Sequence, residues 1–191
     1  KEDPKRFLEK YSSYSVKNSS KIIWIHAASV GEMMSIIPIL KKLEKNKKLE
    51  KIILTTTTIS SAKIFNKLKI KFKKTFHKYY PLDTNYISKK FIKNWKPKLA
   101  IFVDSEIWPN TLKNLESSKI PIILLNARIT KKSFRRWSLI PIFAKNVFSK
   151  ITLALPQNLE TKRYLKKLGV KKIKLAGNLK YYGDRKFRNL E

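Results

Sequence analysis

The chain has 191 residues, 42% of them hydrophobic and 12% aromatic, a composition typical of one sizeable globular domain. It contains no cysteine, which excludes disulfides and thiolate metal sites, and no run approaching the roughly 18 apolar residues of a membrane-spanning helix. Lys and Arg outnumber Asp and Glu by 44 to 13, so the formal net charge is +31. Such a charge attracts nucleic acid, anionic lipids or phosphorylated substrates, although most of it is lysine and a codon bias explains it equally well.

Apolar runs of strand length alternate with helical periodicity along the chain. The first 21 residues contain a polar lead-in that predicts a short helix laid against the domain, with apolar residues at helical spacing, namely Phe7, Leu8 and Tyr11. Seven runs then predict buried strands, at Ile22–His26, Lys51–Thr56, Thr75–Tyr80, Leu99–Val103, Pro121–Asn126, Ile151–Leu155 and Lys172–Ala176. Six periodic segments predict helices, at Glu32–Lys45, Ser60–Leu68, Asn85–Trp95, Trp108–Ser117, Ser133–Phe148 and Asn158–Leu168. This alternation predicts an α/β domain with a doubly wound, mainly parallel, Rossmann-like sheet.

Proline and glycine support most of these boundaries. Gly169 directly follows the last predicted helix, where a C-cap glycine belongs. Pro38 is the exception, because it lies inside the first predicted helix, and we expect it to kink that helix.

The segment Ile22–Glu32, IIWIHAASVGE, carries the clearest chemical signal. It changes from a buried strand to a glycine-containing loop and then to the start of a helix, and ligands bind at such junctions in open α/β sheets. Glu32 follows Gly31, whose lack of a side chain lets the backbone approach a substrate, so Glu32 is a candidate general base; its alternative role is to complement the helix dipole, worth about 0.3–1 kcal/mol. Ser29 either binds a substrate phosphate or hydroxyl or acts as a local cap. His26 is most simply a hydrogen-bonded core histidine.

Polar residues also follow the fourth and fifth predicted strands. Asp104 and Glu106 come directly after Leu99–Val103, so we expect them at the same edge of the sheet as the first motif. One interpretation is a metal site for a sugar nucleotide, although a hard divalent ion usually takes more oxygen ligands than this sequence visibly offers. The alternative is that Asp104 caps the next helix. Asn126 and Arg128 follow the next strand, and Arg128 either grips a substrate phosphate or pairs with Glu106.

The segment Ser133–Lys150 mixes aromatic and basic residues. This composition on an amphipathic element is typical of enzymes that lie on an anionic membrane, and we predict that Arg135, Arg136 and Trp137 face the lipid. The alternative is a helix with one face in the core and the other in solvent.

Six sequence blocks, taken in order, resemble the motifs of the 3-deoxy-D-manno-octulosonic acid (Kdo) transferases. They are HAASVGE at 26–32, TTTTISS at 55–61, YYPLD at 79–83, DSEIWPN at 104–110, IPIILLNARIT at 120–130 and GNLKY at 177–181. Together they extend over nearly the whole chain, so the resemblance is specific. The sequence departs from the family at Asp104, where the family usually carries glutamate.

The resemblance implies the N-terminal, acceptor-binding lobe of a two-lobed GT-B glycosyltransferase. We expect residues 1–178 to form this lobe and residues 179–191 to begin the linker to a C-terminal donor-binding domain that is absent here. The family transfers Kdo from CMP-Kdo to the lipid A precursor (lipid IVA) in lipopolysaccharide biosynthesis. It is metal-independent and no cofactor is expected, CMP-Kdo being a substrate bound mainly by the other lobe. The isolated chain is therefore expected to be inactive.

The resemblance also assigns roles to residues and implies partners. Glu32 matches the proposed general base, and the expected substrate contacts are Ser29, Gly31, Asp104, Glu106, Asn126 and Arg128. The expected partners are a phosphorylated glycolipid, the donor lobe and the anionic cytoplasmic face of the bacterial inner membrane, with no nucleic acid. Because the chain begins at Lys1 and not at Met, we expect it to be part of a longer polypeptide, with any N-terminal anchor outside it.

Two other functions fit parts of the sequence. A nucleic-acid-binding domain is suggested by the charge alone, without an RRM, KH or helix-turn-helix signature. A different GT-B sugar-nucleotide enzyme, such as an epimerase, has the same architecture, and its donor lobe would distinguish it. The chain has no P-loop and no G-x-G-x-x-G motif, so nucleotide binding by this lobe is not predicted.

Overall fold

The computed structural model describes residues 3–12 and 21–179. Six parallel strands form one sheet in the order β3-β2-β1-β4-β5-β6. The strands are β1 (Ile22–His26), β2 (Lys51–Thr56), β3 (Thr75–Tyr79), β4 (Leu99–Val103), β5 (Ile122–Ala127) and β6 (Leu153–Pro156). The α-helices are α1 (Val30–Glu44), α2 (Ile59–Leu68), α3 (Asn85–Trp95), α4 (Pro109–Ser117), α5 (Lys131–Ser138), α6 (Pro141–Phe148) and α7 (Leu159–Leu168). The predicted doubly wound, Rossmann-like fold is confirmed.

The strand order places one crevice at the centre of the sheet. β1 and β4 are neighbours, and the chain winds outward from them in opposite directions, through β2 and β3 on one side and β5 and β6 on the other. Their register pairs His26 with Phe102, so the two strands end at nearly the same level. This is the topological switch point, where open α/β sheets bind ligands between the loops that follow the strands.

Helices cover both faces of the sheet and bury it in two apolar clusters. Trp24, Phe91 and Phe102 belong to one cluster, and Met33 and Phe65 belong to the other. Every residue of β1 is buried, which explains its continuous apolar sequence, since a strand covered on both faces has no solvent side. The loops that follow the central strands therefore start from fixed positions.

Side-chain caps begin most of the helices. In each case a side-chain oxygen accepts a backbone N–H of the first turn, and the capping residues are Ser29, Thr58, Thr84, Thr130 and Asn158. α1 continues through Pro38 to Glu44, so the proline does not end the helix although it lacks an N–H donor.

Two of the predicted elements are wrong. The run Lys172–Ala176 does not form a seventh strand, since only an isolated parallel bridge joins Ile173 to Ala154. The single helix predicted over Ser133–Phe148 is two helices, because Pro141 starts α6. Proline suits the first turn of a helix and disrupts its interior.

The N-terminal lead-in forms a 3-10 helix at Phe7–Tyr11, but polar contacts hold it. The prediction of a short helix against the domain is confirmed, although the apolar side chains whose spacing predicted it are exposed. Arg6 donates to the carbonyl oxygen of His77 at 3.0 Å, and Glu9 accepts the backbone N–H of Tyr79 at 3.1 Å. The lead-in therefore covers the outer edge of β3 through hydrogen bonds.

Candidate active site

The loops after β1, β4 and β5 meet at the carboxyl edge of the sheet. The Asp104 N–H donates to the carbonyl oxygen of Leu125 at 3.0 Å, and the Arg128 N–H donates to the carbonyl oxygen of Asp104 at 3.2 Å. Glu32 lies in the first turn of α1, and the charges of Asp104 and Glu106 act on its carboxyl group. The structure thus gathers the acidic residues of two loops at one edge and joins the Arg128 backbone to the same edge.

The Glu32 carboxylate is oriented by its own loop. Its Oε1 accepts the Ser29 hydroxyl at 2.9 Å, and its Oε2 accepts the Ala28 N–H at 2.8 Å. Ser29 also caps α1, since its Oγ accepts the Glu32 N–H at 3.3 Å. This reciprocal arrangement resembles a capping box, so Ser29 is the local cap considered from the sequence and also contacts the candidate base.

Burial raises the pKa of Glu32 above its ordinary value. Hydrogen bonds from Ser29 and Ala28 act against this shift, and the negative charges of Glu106 and Asp104 add to it. A position at a helix start would by itself lower the pKa of a carboxyl group. Because the pKa is raised instead, the ionised Glu32 is a stronger base than an ordinary surface glutamate.

The Glu106 carboxylate is anchored through a single oxygen. The His26 Nε2 lies 3.1 Å from Oε2, and the Trp108 indole N–H donates to the same oxygen at 2.8 Å. Among the described residues, Oε1 has no hydrogen-bond partner. Glu106 therefore keeps one carboxylate oxygen for a ligand.

His26 is fully buried and hydrogen-bonded, as its place in an apolar strand indicated. Its Nδ1 lies 3.1 Å from both the hydroxyl and the carbonyl oxygen of Thr55, and its ring centroid lies 4.0 Å from that of Tyr80. Sequence reasoning missed its second partner, Glu106, because the two residues are 80 positions apart and no local pattern links them.

Two residues at the ends of strands have left-handed backbone conformations. Asp104 has a φ of 64° and Asn126 a φ of 51°, values that Asp and Asn tolerate better than most residues. Asp104 does not cap α4, because Trp108 occupies the N-cap position. Asn126 is buried, and its Oδ1 accepts the Leu179 N–H at 3.1 Å, so this oxygen fastens the end of the described chain.

Gly31 and Arg128 border open surface. A side-chain carbon at position 31 would meet no atom within 4 Å, so the glycine leaves the surface beside Glu32 uncovered. The Arg128 side chain is exposed and, within the described part of the chain, makes no hydrogen bond or ion pair. The pair with Glu106 that the sequence allowed is therefore not formed there.

Comparison with known proteins identifies the family. Residues 5–182 match the family model described as 3-deoxy-D-manno-octulosonic-acid transferase (kdotransferase). The chain belongs to the Kdo transferase family. Among curated relatives named 3-deoxy-D-manno-octulosonic acid transferase, that of Rickettsia felis is 37% identical over 168 residues, and that of Haemophilus influenzae is 35% identical over 184 residues. The alignments cover 86% and 92% of this chain but 35% and 42% of the two relatives, so the chain spans well under half of their length.

Solved structures of low sequence identity share the fold. The UDP-N-acetylglucosamine 2-epimerase of Rickettsia bellii aligns with a TM-score of 0.63 at 14% identity, over 90% of this chain and 48% of that one. The UDP-GlcNAc 2-epimerase of Neisseria meningitidis, bound to UDP-GlcNAc, aligns with a TM-score of 0.58 at 14% identity, over 84% of this chain and 47% of that one. At this identity the likeness shows architecture alone. The chain therefore has a Rossmann-like fold that corresponds to about half of each of these structures.

In this member of the Kdo transferase family, the segment predicted to face lipid borders a groove between α4 and α6. Arg135 and Arg136 are exposed, whereas Trp137 packs inward with its ring centroid 5.1 Å from that of Phe148. The groove has a volume of about 880 Å³, and its lining includes Pro109, Lys113, Ile140, Ile142, Phe143 and Val147. The most exposed apolar residues of the segment are Leu139, at 80%, and Ile142, at 87%. The residues predicted to face lipid were Arg135, Arg136 and Trp137, and they did not include these two.

Three other predictions concern metal binding, membrane spans and the linker. Within residues 3–12 and 21–179, no group of three His, Asp or Glu side chains is arranged to hold a metal ion. No helix in these ranges combines the length and the apolarity needed to cross a bilayer. The predicted linker, residues 179–191, lies outside the described residues except for Leu179.

Proposed function

We propose that this chain is the acceptor-binding lobe of an enzyme that transfers Kdo from CMP-Kdo to the lipid A precursor, lipid IVA. The observation that carries the proposal is Glu32, a carboxyl group of raised pKa at the switch point of a chain from the Kdo transferase family. CMP-Kdo binds chiefly to a second lobe, which belongs to the same enzyme and lies outside this chain. The product contains one new bond between the Kdo anomeric carbon and an acceptor oxygen.

Glu32 acts as the general base in this reaction. The acceptor hydroxyl attacks the anomeric carbon of the donor sugar as the bond between that carbon and the CMP phosphate breaks, and CMP leaves with the bonding electrons. The hydroxyl proton passes to Glu32, which the Ser29 hydroxyl and the Ala28 N–H hold in place. The uncovered surface at Gly31 gives the acceptor access to this carboxylate.

The surrounding polar groups bind the acceptor. The Glu106 Oε1 accepts a hydrogen bond from a sugar hydroxyl, and the exposed Arg128 pairs with an acceptor phosphate. Asp104 and Asn126 shape the loops that carry these groups. The net charge of +31 favours a phosphorylated acceptor over a neutral one.

The α5–α6 surface places the lobe on an anionic membrane, which we propose to be the cytoplasmic face of the inner membrane. Arg135 and Arg136 face lipid phosphates, while Leu139 and Ile142 enter the acyl region. Burial of apolar groups and attraction to anionic lipids add in such contacts. The acceptor would then reach Glu32 without leaving the membrane.

Transfer of Kdo by the full-length protein, including whatever follows residue 191, tests the base assignment. Glu32→Gln keeps the size of the side chain but removes its basic carboxylate. We expect kcat for transfer from CMP-Kdo to lipid IVA to fall on the order of 10²- to 10⁴-fold, because this is the usual contribution of a general base. Glu160→Gln is the matched control, since Glu160 is exposed on α7. Near-normal turnover of the Glu32 variant would remove the base assignment.

Vesicle binding tests the membrane surface separately from the chemistry. The double variant Leu139→Ser, Ile142→Ser removes two exposed apolar side chains and should weaken binding to anionic vesicles by about tenfold or more. Cosedimentation measures this change. The control is Ile70→Ser, which removes an equally exposed isoleucine, 94% accessible, from a different surface. Equal binding by the wild type and both variants would show that α5–α6 does not contact lipid.

A further inference from the structure

A chain of buried polar groups on β1 and β2 leads to the candidate site. The Trp24 indole N–H donates to the Thr55 hydroxyl at 2.9 Å, that hydroxyl lies 3.1 Å from the His26 Nδ1, and the His26 Nε2 lies 3.1 Å from the Glu106 Oε2. Trp24, Thr55 and His26 are each 0% exposed. A polar group buried this deeply is costly unless it is hydrogen-bonded, and each member of this chain is.

The partners of His26 define how its ring is protonated. An ionised carboxylate accepts hydrogen bonds only, so the His26 Nε2 carries a proton and donates it to Glu106. The Nδ1 faces both a donor and an acceptor, because the hydroxyl and the carbonyl oxygen of Thr55 both lie at 3.1 Å. The neutral ring accepts the hydroxyl proton, and the charged ring donates to the carbonyl. The contact with Glu106 is kept in both states.

The His26 ring is also fixed by its aromatic neighbours. Its centroid lies 4.0 Å from that of Tyr80 and 5.9 Å from that of Phe102, in a part of the core without access to solvent. A ring packed in this way cannot swing toward a ligand. Any effect of His26 on a substrate therefore passes through Glu106.

We propose that His26 is a positioning residue that holds the Glu106 carboxylate by Oε2, so that Oε1 is presented to the acceptor and the negative charge stays next to Glu32. This inference rests on the proposed function, because it assigns the acceptor as the ligand of Glu106. Trp108 donates to the same oxygen from the start of α4, so one donor at the end of β1 and one at the start of α4 fix the carboxylate. His26 does not touch substrate.

Two polar substitutions in the full-length protein separate this role from a general need for a buried polar side chain. His26→Gln places an amide N–H where Nε2 lies and reaches Glu106, whereas His26→Asn is one carbon shorter and reaches only Thr55. We expect His26→Asn to lower kcat for Kdo transfer on the order of 10- to 100-fold, as expected for losing a hydrogen bond to a charged group. His26→Gln should retain most of the rate, and the KM for CMP-Kdo should not change in either variant.

A double variant shows whether His26 acts through Glu106. In a Glu106→Ala background the carboxylate is absent, so adding His26→Asn should lower kcat no further, because coupled residues are not additive. Multiplication of the two effects would overturn the proposal. Equal losses in His26→Asn and His26→Gln would also overturn it.

His77→Asn is the matched control for the loss of a buried histidine, since His77 lies on β3 and contacts Thr56 and Arg6 instead of the site. It should fold and transfer Kdo like the wild type. A rate loss equal to that of His26→Asn would overturn the proposal, because the effect would then come from the fold in general.

A second readout does not depend on transfer. In protein labelled with ¹³C at glutamate carboxyl groups, the Glu32 titration should move to lower pH in His26→Asn and not in His26→Gln, because a released Glu106 takes its charge away from Glu32. An unchanged titration in His26→Asn would overturn the proposal. If wild-type protein transferred no Kdo, the proposed function would fail, whereas this titration would still test the contact between His26 and Glu106.

Discussion

His26 and His77 lie on the two strands that flank β2, and they form similar contacts with opposite consequences. His26 contacts the Thr55 hydroxyl at 3.1 Å, and His77 contacts the Thr56 hydroxyl at 2.9 Å. Successive residues of a strand point to opposite faces, so the two imidazoles lie on opposite sides of the sheet. Accordingly, His26 packs on Tyr80, and His77 stacks on Phe65 at 5.7 Å.

The charge of the second partner distinguishes the two histidines. The His26 Nε2 lies 3.1 Å from the Glu106 carboxylate, whereas the His77 Nδ1 lies 3.1 Å from the Arg6 guanidinium. A carboxylate needs a donor, so His26 serves an acidic site; a guanidinium is a donor, so His77 accepts a hydrogen bond and is held neutral. His26 thus supports the candidate site, while His77 holds the N-terminal lead-in.

The largest effect is expected on the His26 side, from removing the charge of Glu106. Glu106→Gln keeps the shape of the side chain but takes away a negative charge that raises the pKa of Glu32. We expect kcat for Kdo transfer to fall on the order of tenfold or more. The acid limb of the pH profile of kcat should move to lower pH, because Glu32 then loses its proton more easily.

The matched variant for this measurement is Asp104→Asn. Asp104 raises the pKa of Glu32 after Glu106 in order of size, so its removal should move the acid limb in the same direction by a smaller amount. A limb that stayed in place in both variants, or moved to higher pH, would show that Glu32 does not control the rate.

The fold was predictable because its signals are local. Strands such as Ile22–His26 are continuous apolar runs, and residues such as Ser29 and Thr84 begin helices by capping them. The failures occurred where a second constraint overrides the local pattern. Pro141 divides a periodic segment into α5 and α6, and the run Lys172–Ala176 has strand-like spacing but forms only one bridge.

The site was predictable only in outline. Strand ends of a parallel sheet lie at one edge, which was enough to place Glu32 and Glu106 near each other. The anchoring of Glu106 by His26 and Trp108 depends on side-chain directions in a folded core, and no local sequence pattern predicts these directions. The attachment of Arg6 to His77 is equally hidden, because polar residues 71 positions apart carry no periodicity.

A smaller effect is expected on the His77 side, where the free energy of unfolding should fall in acid. Burial and the charge of Arg6 lower the pKa of His77 to about 4, with Lys78 acting in the same direction and Glu9 against it. An unfolded histidine has a pKa near 6.5, so between these values the unfolded chain binds more protons, and stability falls as the pH falls. The free energy of unfolding should drop by on the order of 1–2 kcal/mol from pH 7 to pH 5. Urea titrations followed by tryptophan emission measure this drop, and stopping at pH 5 avoids the window in which Glu9 begins to titrate, since the pKa of Glu9 is lowered from 4.5.

His77→Gln should remove most of this acid sensitivity, because glutamine forms hydrogen bonds without taking up a proton in this range. Arg6→Gln should reduce it by less, since burial, the larger cause of the low pKa, remains. Wild-type stability that did not change between these pH values would mean that burial and the Arg6 charge do not hold the imidazole neutral, and the contrast between the two histidines would then lose its electrostatic basis.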